Sequence, residues 1–461
     1  MKLRIFTFIT MFLSTGILFA QNDSVYEFSL KQAQDYALQN NRTVKSSKID
    51  LEIAKKVIWE TTAIGLPQFS ITGNYQHIFK VPEFGIPVSG FTQDPLVLSE
   101  PVSSFDQFQS IGGLNQYYYE GPKIPLGAKD NTTFDFTLSQ LIFSGEYIVG
   151  LQASRVYREL SEEQLKKTEN DINESVADSY YTVLVLSRNI NILNESLEVV
   201  TKTHNEMNAM YKEGFVQETD AEQLKIIHSQ LENTIFTLKG QLNVSEKLFK
   251  MQLGLNFDYQ LALTDSIEGL LLNTNFKLLD SAQFNVNNNV SYQLATTAAD
   301  LSKLSLRREK SKFLPSIAAF YQHEEQTNPA AFNFMPPDIV GVRMNFTIFS
   351  SGQRLSTVSQ SQLSYEKAQL AQKDAEQGLI MQFESARNNY ITALNTYETN
   401  LENFNLAKKI FDHSVISFRE GVSTSLELTQ NHRQYLTTEA EYLNGIMKLL
   451  SAKAQLDNLL N

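Results

Sequence analysis

All eleven prolines of the 461-residue chain fall in two windows. Pro67, Pro82, Pro87, Pro95, Pro101, Pro122 and Pro125 occupy the first, and Pro315, Pro329, Pro336 and Pro337 the second. Residues 126–314 and 338–461 have none. Proline removes a backbone donor and clashes with the preceding turn, so tracts this long without it point to extended helices. The windows that carry it are left for strands and loops. The coarse picture is two helical blocks, each led by a short β region.

Both blocks keep a coiled-coil rhythm. Ile172, Val176, Tyr180, Val183, Leu186, Ile190, Leu193, Leu197, Val200, His204, Met207 and Tyr211 step mostly by threes and fours. Leu379, Phe383, Ala386, Tyr390, Leu394, Tyr397, Leu401, Phe404, Ala407, Phe411, Val415 and Phe418 do the same. A spacing held near 3.5 specifies helices that wrap partners along a narrow seam. His204 lies on this seam, where packing explains it better than metal binding. A helix from about Glu146 to Glu213 is roughly 100 Å long at ~1.5 Å per residue.

The blocks also repeat. Ile142-Phe143-Ser144-Gly145 returns as Ile348-Phe349-Ser350-Ser351-Gly352, and Tyr211-Lys212-Glu213-Gly214 as Phe418-Arg419-Glu420-Gly421. The distance from Gly145 to Gly214 equals that from Gly352 to Gly421, 69 residues in each case. Leu66-Pro67 with Tyr75-Gln76-His77 matches Leu314-Pro315 with Tyr321-Gln322-His323. Equal spacing over such a stretch indicates an internal duplication. Residues 21–255 form the first expected repeat, 256–280 a connector and 281–461 the second repeat. Each repeat reads helix, strand, loop, strand, long helix, turn, helix.

The strands alternate. Phe69, Ile71, Tyr75, Phe79 and Val81 oppose Ser70, Thr72, Asn74, Gln76 and Lys80 in parity; Phe134, Phe136 and Leu138 alternate with Asp135, Thr137 and Ser139. Val340, Val342, Met344, Phe346 and Ile348 alternate with Gly341, Arg343, Asn345 and Thr347. The strand near Ser316–His323 is less regular, since Phe320 breaks parity. One apolar and one polar face suit a half-buried sheet or a barrel wall between lipid and water.

Compartment decides between these. Lys2 and Arg4 precede an apolar run from Ile5 to Phe19 that ends at Ala20, so residues 1–20 read as a secretory signal peptide. No later stretch is apolar enough for a spanning helix. Four strands are too few to close a barrel, and an open ribbon in lipid leaves edge groups unpaired. Copies must therefore pool strands, and three give twelve.

Composition removes other classes. The absence of Cys excludes disulfides, thiolate metal sites and an N-terminal lipid-modified cysteine. A net charge of -12 argues against nucleic acid. The histidines lack metal spacing, and no HExxH, nucleophile-elbow or phosphate-loop motif occurs. The expectation is no enzyme, with no catalytic, cofactor-binding or metal residues. The competing reading is an exported soluble coiled-coil adaptor or filament protein, which explains the heptads but not the alternating hairpins.

Taken with Ser29-Leu30-Lys31-Gln32-Ala33, Tyr36-Ala37-Leu38-Gln39-Asn40-Asn41, the two strand-to-helix junctions and the two Gly turns, the chain resembles the TolC-like outer membrane efflux protein family. Arg42 stands where that family commonly has Pro. The resemblance covers essentially all of the mature sequence. It implies a mainly α fold with membrane β: a trimeric twelve-stranded barrel continued by a long α-helical coiled-coil barrel. It implies a channel-tunnel in the cell outer membrane, extending into the periplasm and exporting small molecules or polypeptides. The implied partners are two further copies, outer membrane lipid, a periplasmic adaptor (membrane fusion) protein and an inner-membrane pump of RND, ABC or similar type.

Gly214, Phe215, Val216, Gly421, Val422 and Ser423 match the family's adaptor-docking helix turns. Asp220 and Glu427 match its acidic positions at the periplasmic gate, where a trimer gathers six carboxylates whose repulsion responds to pH and cations. Each acid also lies in a helix's first turn, where the dipole favours it. Phe418 and Ser423 stand where some relatives place a Tyr and an Arg that lock the gate, so a resting latch here must use other bonds. The stretch from Pro82 to Lys129, with Tyr117-Tyr118-Tyr119, is read as a long outer loop, a lid or a source of interfacial aromatics, with a disordered loop as the alternative.

Overall fold

The computed structural model describes residues 25–92, 109–111, 114–272, 284–329 and 336–460. The expected signal peptide, part of the outer loop and residues 273–280 of the expected connector lie outside the described residues. In chain order the elements are β1 (Val25–Phe28), α1 (Leu30–Asn40), α2 (Arg42–Ile64), β2 (Gln68–His77), β3 (Glu83–Thr92), β4 (Gln109–Ile111), β5 (Leu114–Pro125), β6 (Asp130–Phe143) and α3 (Gly145–Lys212). They continue as α4 (Glu218–Leu253), β7 (Gln260–Leu263), α5 (Ile267–Leu272), α6 (Val290–Ser311), β8 (Ser316–Gln326), β9 (Asp338–Asn345), α7 (Gln353–Arg419) and α8 (Ser425–Leu460). The described residues divide into two compact units, one within 25–52, 159–298 and 369–460 and one within 53–158 and 299–368.

The first unit is helical, and the threes-and-fours pattern builds it. Val176, Tyr180, Val183, Ile190, Leu193, Val200 and Met207 of α3 are buried, as are Leu379, Phe383, Ala386, Tyr390, Ala407 and Phe411 of α7. Each large side chain removed from water in this way contributes about 2 kcal/mol. His204 is half-buried on its seam.

Beside the long helices, β1 and β7 form a parallel pair, Val25 opposite Gln260 through Phe28 opposite Leu263. The described part of the expected connector is therefore built into the unit rather than merely spanning it. Asp265, just beyond β7, accepts from Leu30 N at 2.7 Å and from the Tyr180 hydroxyl at 2.9 Å. It thus fixes the start of α1 to α3. Ser29 closes that start with a capping box, exchanging bonds with Gln32.

Two asparagines tie helix starts to helix ends. Asn41, 5 % exposed, interrupts the α1–α2 run. Its Oδ1 accepts from Thr43 N (2.7 Å) and Val44 N (3.3 Å), while Nδ2 donates to Gln252 O near the end of α4 at 2.7 Å. Asn289 repeats this at α6: Oδ1 accepts from Ser291 N (2.9 Å) and Nδ2 donates to Leu459 O near the end of α8 (2.9 Å). Gly254 lets α4 finish this close, because a Cβ there would lie 2.4 Å from Asn40 O and its φ is +77°.

In the second unit a four-stranded antiparallel sheet has the order β2-β6-β8-β9. Its outer strands β2 and β9 each keep one unpaired edge among the described residues. The alternation holds. Phe69, Ile71, Phe134, Leu138, Tyr321, Val340, Val342 and Met344 are large, exposed and on one face. Phe320, which breaks parity, lies on the other face beneath the Arg343 guanidinium, 5.1 Å from its ring centre. Gly341 makes room, since a Cβ there would meet that ring at 2.9 Å.

Each hairpin ends in the same triad: Asp130 accepts from Tyr75 and bonds His77, and Asp338 accepts from Tyr321 and bonds His323. β9 stops at Asn345, short of the expected Ile348. Asn345 pairs with Ser316, the first residue of β8, so later residues have no strand beside them among the described residues. The Pro82–Lys129 stretch is not simply a loop. β3 and β5 pair antiparallel through it, with a register shift between Gly85 and Pro87, and β4 adds to β5.

Candidate functional site

The two Gly turns close the helix pairs α3–α4 and α7–α8 within the helical unit. Both are Schellman motifs. Gly214 N donates to Tyr211 O (2.9 Å) and Phe215 N to Met210 O (2.9 Å), with Gly214 at φ +81°. Gly421 N donates to Phe418 O (3.0 Å) and Val422 N to Ser417 O (2.9 Å), with Gly421 at φ +75°. The left-handed conformation excludes a Cβ at little cost only for glycine.

A shared core brings the turns together: Met207, Ala221, Leu224, Phe411 and Leu428, with Val216, Val415 and Phe418 packed against it. The side chain next after each glycine faces water. Phe215 is 75 % and Val422 78 % exposed. In Schellman motifs the residue at that position frequently packs back on the helix, so each turn leaves one apolar side chain without that cover. Ser423 is half-buried and its Oγ has no hydrogen-bond partner.

The acids part company. Asp220, half-buried in the first turn of α4, accepts a short hydrogen bond from Ser425 Oγ at the start of α8. Ser425 is 6 % exposed and also reaches Gln223 Oε1 at 3.3 Å. Glu427 is exposed, and its backbone N is capped by Thr424 Oγ1 at 3.2 Å. Farther up, Arg419 Nε pairs with Glu206 at 3.5 Å. Tyr211 is held protonated to higher pH by the Glu218 carboxylate beside it. Sequence reasoning missed Ser425, because a serine at a helix start reads as a cap. Its partner lies 205 residues away and no local pattern points to it.

Among the described residues no group of three or more His, Cys, Asp or Glu is placed to hold a metal ion. No described helix is long and apolar enough to cross a membrane.

The fold, a sheet with one bare apolar face followed by very long paired helices, is similar to that of several solved outer membrane proteins. The chain is similar to VceC of Vibrio cholerae (13 % identity, 94 % of this chain and 95 % of that one, TM-score 0.68). It is also similar to the CmeC channel of Campylobacter jejuni (14 %, 94 % and 85 %, 0.71) and to the MtrE channel of Neisseria gonorrhoeae in its open state (13 %, 94 % and 88 %, 0.68). No curated protein matches the sequence. Residues 280–461 match the outer membrane efflux protein family. By sequence over that part and by fold over nearly its length, the chain resembles the TolC-like outer membrane efflux proteins. CmeC and MtrE are channels of the outer membrane.

Proposed function

We propose that three copies assemble into a twelve-stranded barrel in the outer membrane, continued by a helical tunnel, and export solutes handed over by an inner-membrane pump through a periplasmic adaptor. The observation that carries this is the sheet. Among the described residues strands β2 and β9 have free edges, and large apolar side chains cover one face. Such a sheet is stable in lipid only when neighbours complete its hydrogen bonds. The matching triads, Schellman turns and asparagine ties support a duplicated protomer with the repeat boundaries 21–255 and 281–461. The bare Phe215 and Val422 support docking of the adaptor at Gly214–Val216 and Gly421–Ser423. Asp220 and Glu427 are the gate acids in this reading, with the Ser425–Asp220 bond as the latch that Phe418 and Ser423 do not supply.

Mass measurement on detergent-solubilised protein, followed by planar-bilayer recording, tests the assembly. The expected result is a trimer that conducts; a folded, stable monomer without conductance overturns it. Gly214→Trp and Gly421→Trp should leave the trimer assembled and stop export. Full export by both variants removes the docking assignment.

A further inference from the structure

The inner seam of α8 runs His432, Tyr435, Glu439, Tyr442, Ile446, stepping by threes and fours. Four of these suit such a position. Tyr435 and Tyr442 stack on Phe404 of α7 with ring centres 5.9 and 5.1 Å apart, and Phe411 stacks on Tyr435 at 5.3 Å. Ile446 is fully buried, and His432 is buried with Nε2 2.7 Å from Ser196 Oγ of α3.

Glu439 is the exception. It is 1 % exposed and its Oε1 has no hydrogen-bond partner. The charged groups facing it are Arg188 and Glu195 of α3 and Lys408 of α7, with Asp412 of α7 acting on neighbouring Tyr435. All four sit at exposed positions on their helices. Their charges are therefore spent largely on water, and the two cations are opposed by two acids.

An ionised carboxylate in that place loses its hydration and gains little in return. A protonated one fits. Burial accordingly pushes the Glu439 carboxyl from 4.5 up to about 7, with Arg188 and Lys408 pulling it down and Glu195 pushing it up.

We infer that Glu439 is a proton-operated catch in the seam of α8 with α3 and α7, holding the seam shut while protonated and loosening it when the proton leaves. A loosened seam lets water reach the carboxyl and restores its ordinary behaviour, so the seam equilibrium is coupled to proton binding. The shut form binds the proton more tightly, so acid favours it, and raising the pH from 4.5 through about 7 shifts the balance toward the loose form. The coupling is at most about 300-fold per subunit, for a carboxyl moving between those two values. His432 does not share in it near neutrality, because burial holds its imidazole down at about 4. A polar residue on a seam can instead serve only to fix helix register, and that role carries no dependence on pH. Resting on the export-duct reading is one consequence: the duct opens more readily when the water around its helices is neutral than when it is acidic.

Amide hydrogen exchange of the full-length protein in detergent, corrected for the intrinsic rate between pH 5 and 8, reads the seam without any pore. Protection over residues 432–446 of the wild type should fall at least tenfold across that range, while E439Q stays protected and flat. Planar-bilayer conductance should rise with pH in the wild type and rise less steeply in E439Q, the slope that remains belonging to the gate acids Asp220 and Glu427. A flat wild-type profile, or an E439Q profile that copies the wild-type slope, overturns the catch. Sloped exchange with no conductance at any pH removes the export duct and leaves the catch standing. Should E439Q not assemble, the wild-type exchange slope decides alone.

Discussion

Replacing Asn41 tests whether the helix ends hold each other. Asn41→Ala removes an N-cap from α2, a loss of about 1 kcal/mol. It also removes the donor to Gln252 O, leaving the carbonyl of a half-buried residue without that partner, for a further 1–3 kcal/mol or so. The expected destabilisation is about 2–4 kcal/mol. Asn41→Asp separates the two parts. Aspartate caps as well as asparagine, yet it has no donor for Gln252 O and sets a negative charge against the negative end of the α4 dipole. It should therefore destabilise at least as much as alanine. Asn289→Ala, which loses the equivalent bond to Leu459 O, should do the same, and the double variant should be additive because the two sites share no partner. The assay is urea-induced loss of helical circular dichroism. An Asn41→Asp variant as stable as wild type refutes the tie, since capping alone then accounts for the site.

Arg42→Pro should be neutral within about 0.5 kcal/mol in the same titration, because position 42 opens α2 and proline is accommodated at a first helical residue; loss of the fold would show that α1 and α2 are not separated at Asn41. Gly254→Ala should cost more than about 1 kcal/mol, since the new Cβ meets backbone atoms of Asn40 and the φ of +77° disfavours it; an unchanged midpoint contradicts the close approach. Ser425→Ala should raise single-channel conductance as Asp220→Ala does, with the double variant no higher than either single one. Additive effects would show that the two residues act separately, and unchanged conductance in Asp220→Ala and Glu427→Ala would remove the gate role.

Legibility in the sequence extended to whatever repeats at short range. The seams of α3 and α7 come from side-chain spacing alone, and the Gly turns from a residue type that only a left-handed turn requires. Strand alternation survived in β2, β6 and β9, and its failure at Phe320 is explained by Gly341 and Arg343 on the neighbouring strand. The losses share a cause. β1 and β7 have four residues each, too few to show a period, and they pair across more than two hundred residues. The strands inside Pro82–Lys129 carry prolines and glycines, and in sequence those residues indicate loop. Asn289, Ser425 and Glu439 look like an ordinary cap, an ordinary cap and an ordinary surface acid. Their significance lies in Leu459, Asp220 and the face of α3, none of which is near them in the chain.

The free edges of β2 and β9 also bear on how such a chain is made. In the proposed assembly a newly made copy cannot finish this sheet by itself, and its bare Phe, Ile and Val side chains would invite clumping with any other unfinished copy. The helical unit has a core of its own and can settle early. If three copies complete the sheet as proposed, it has to come last, so the hazardous interval in biogenesis would lie between translocation and the meeting of two siblings at the bilayer, and that is where an escorting chaperone would be needed.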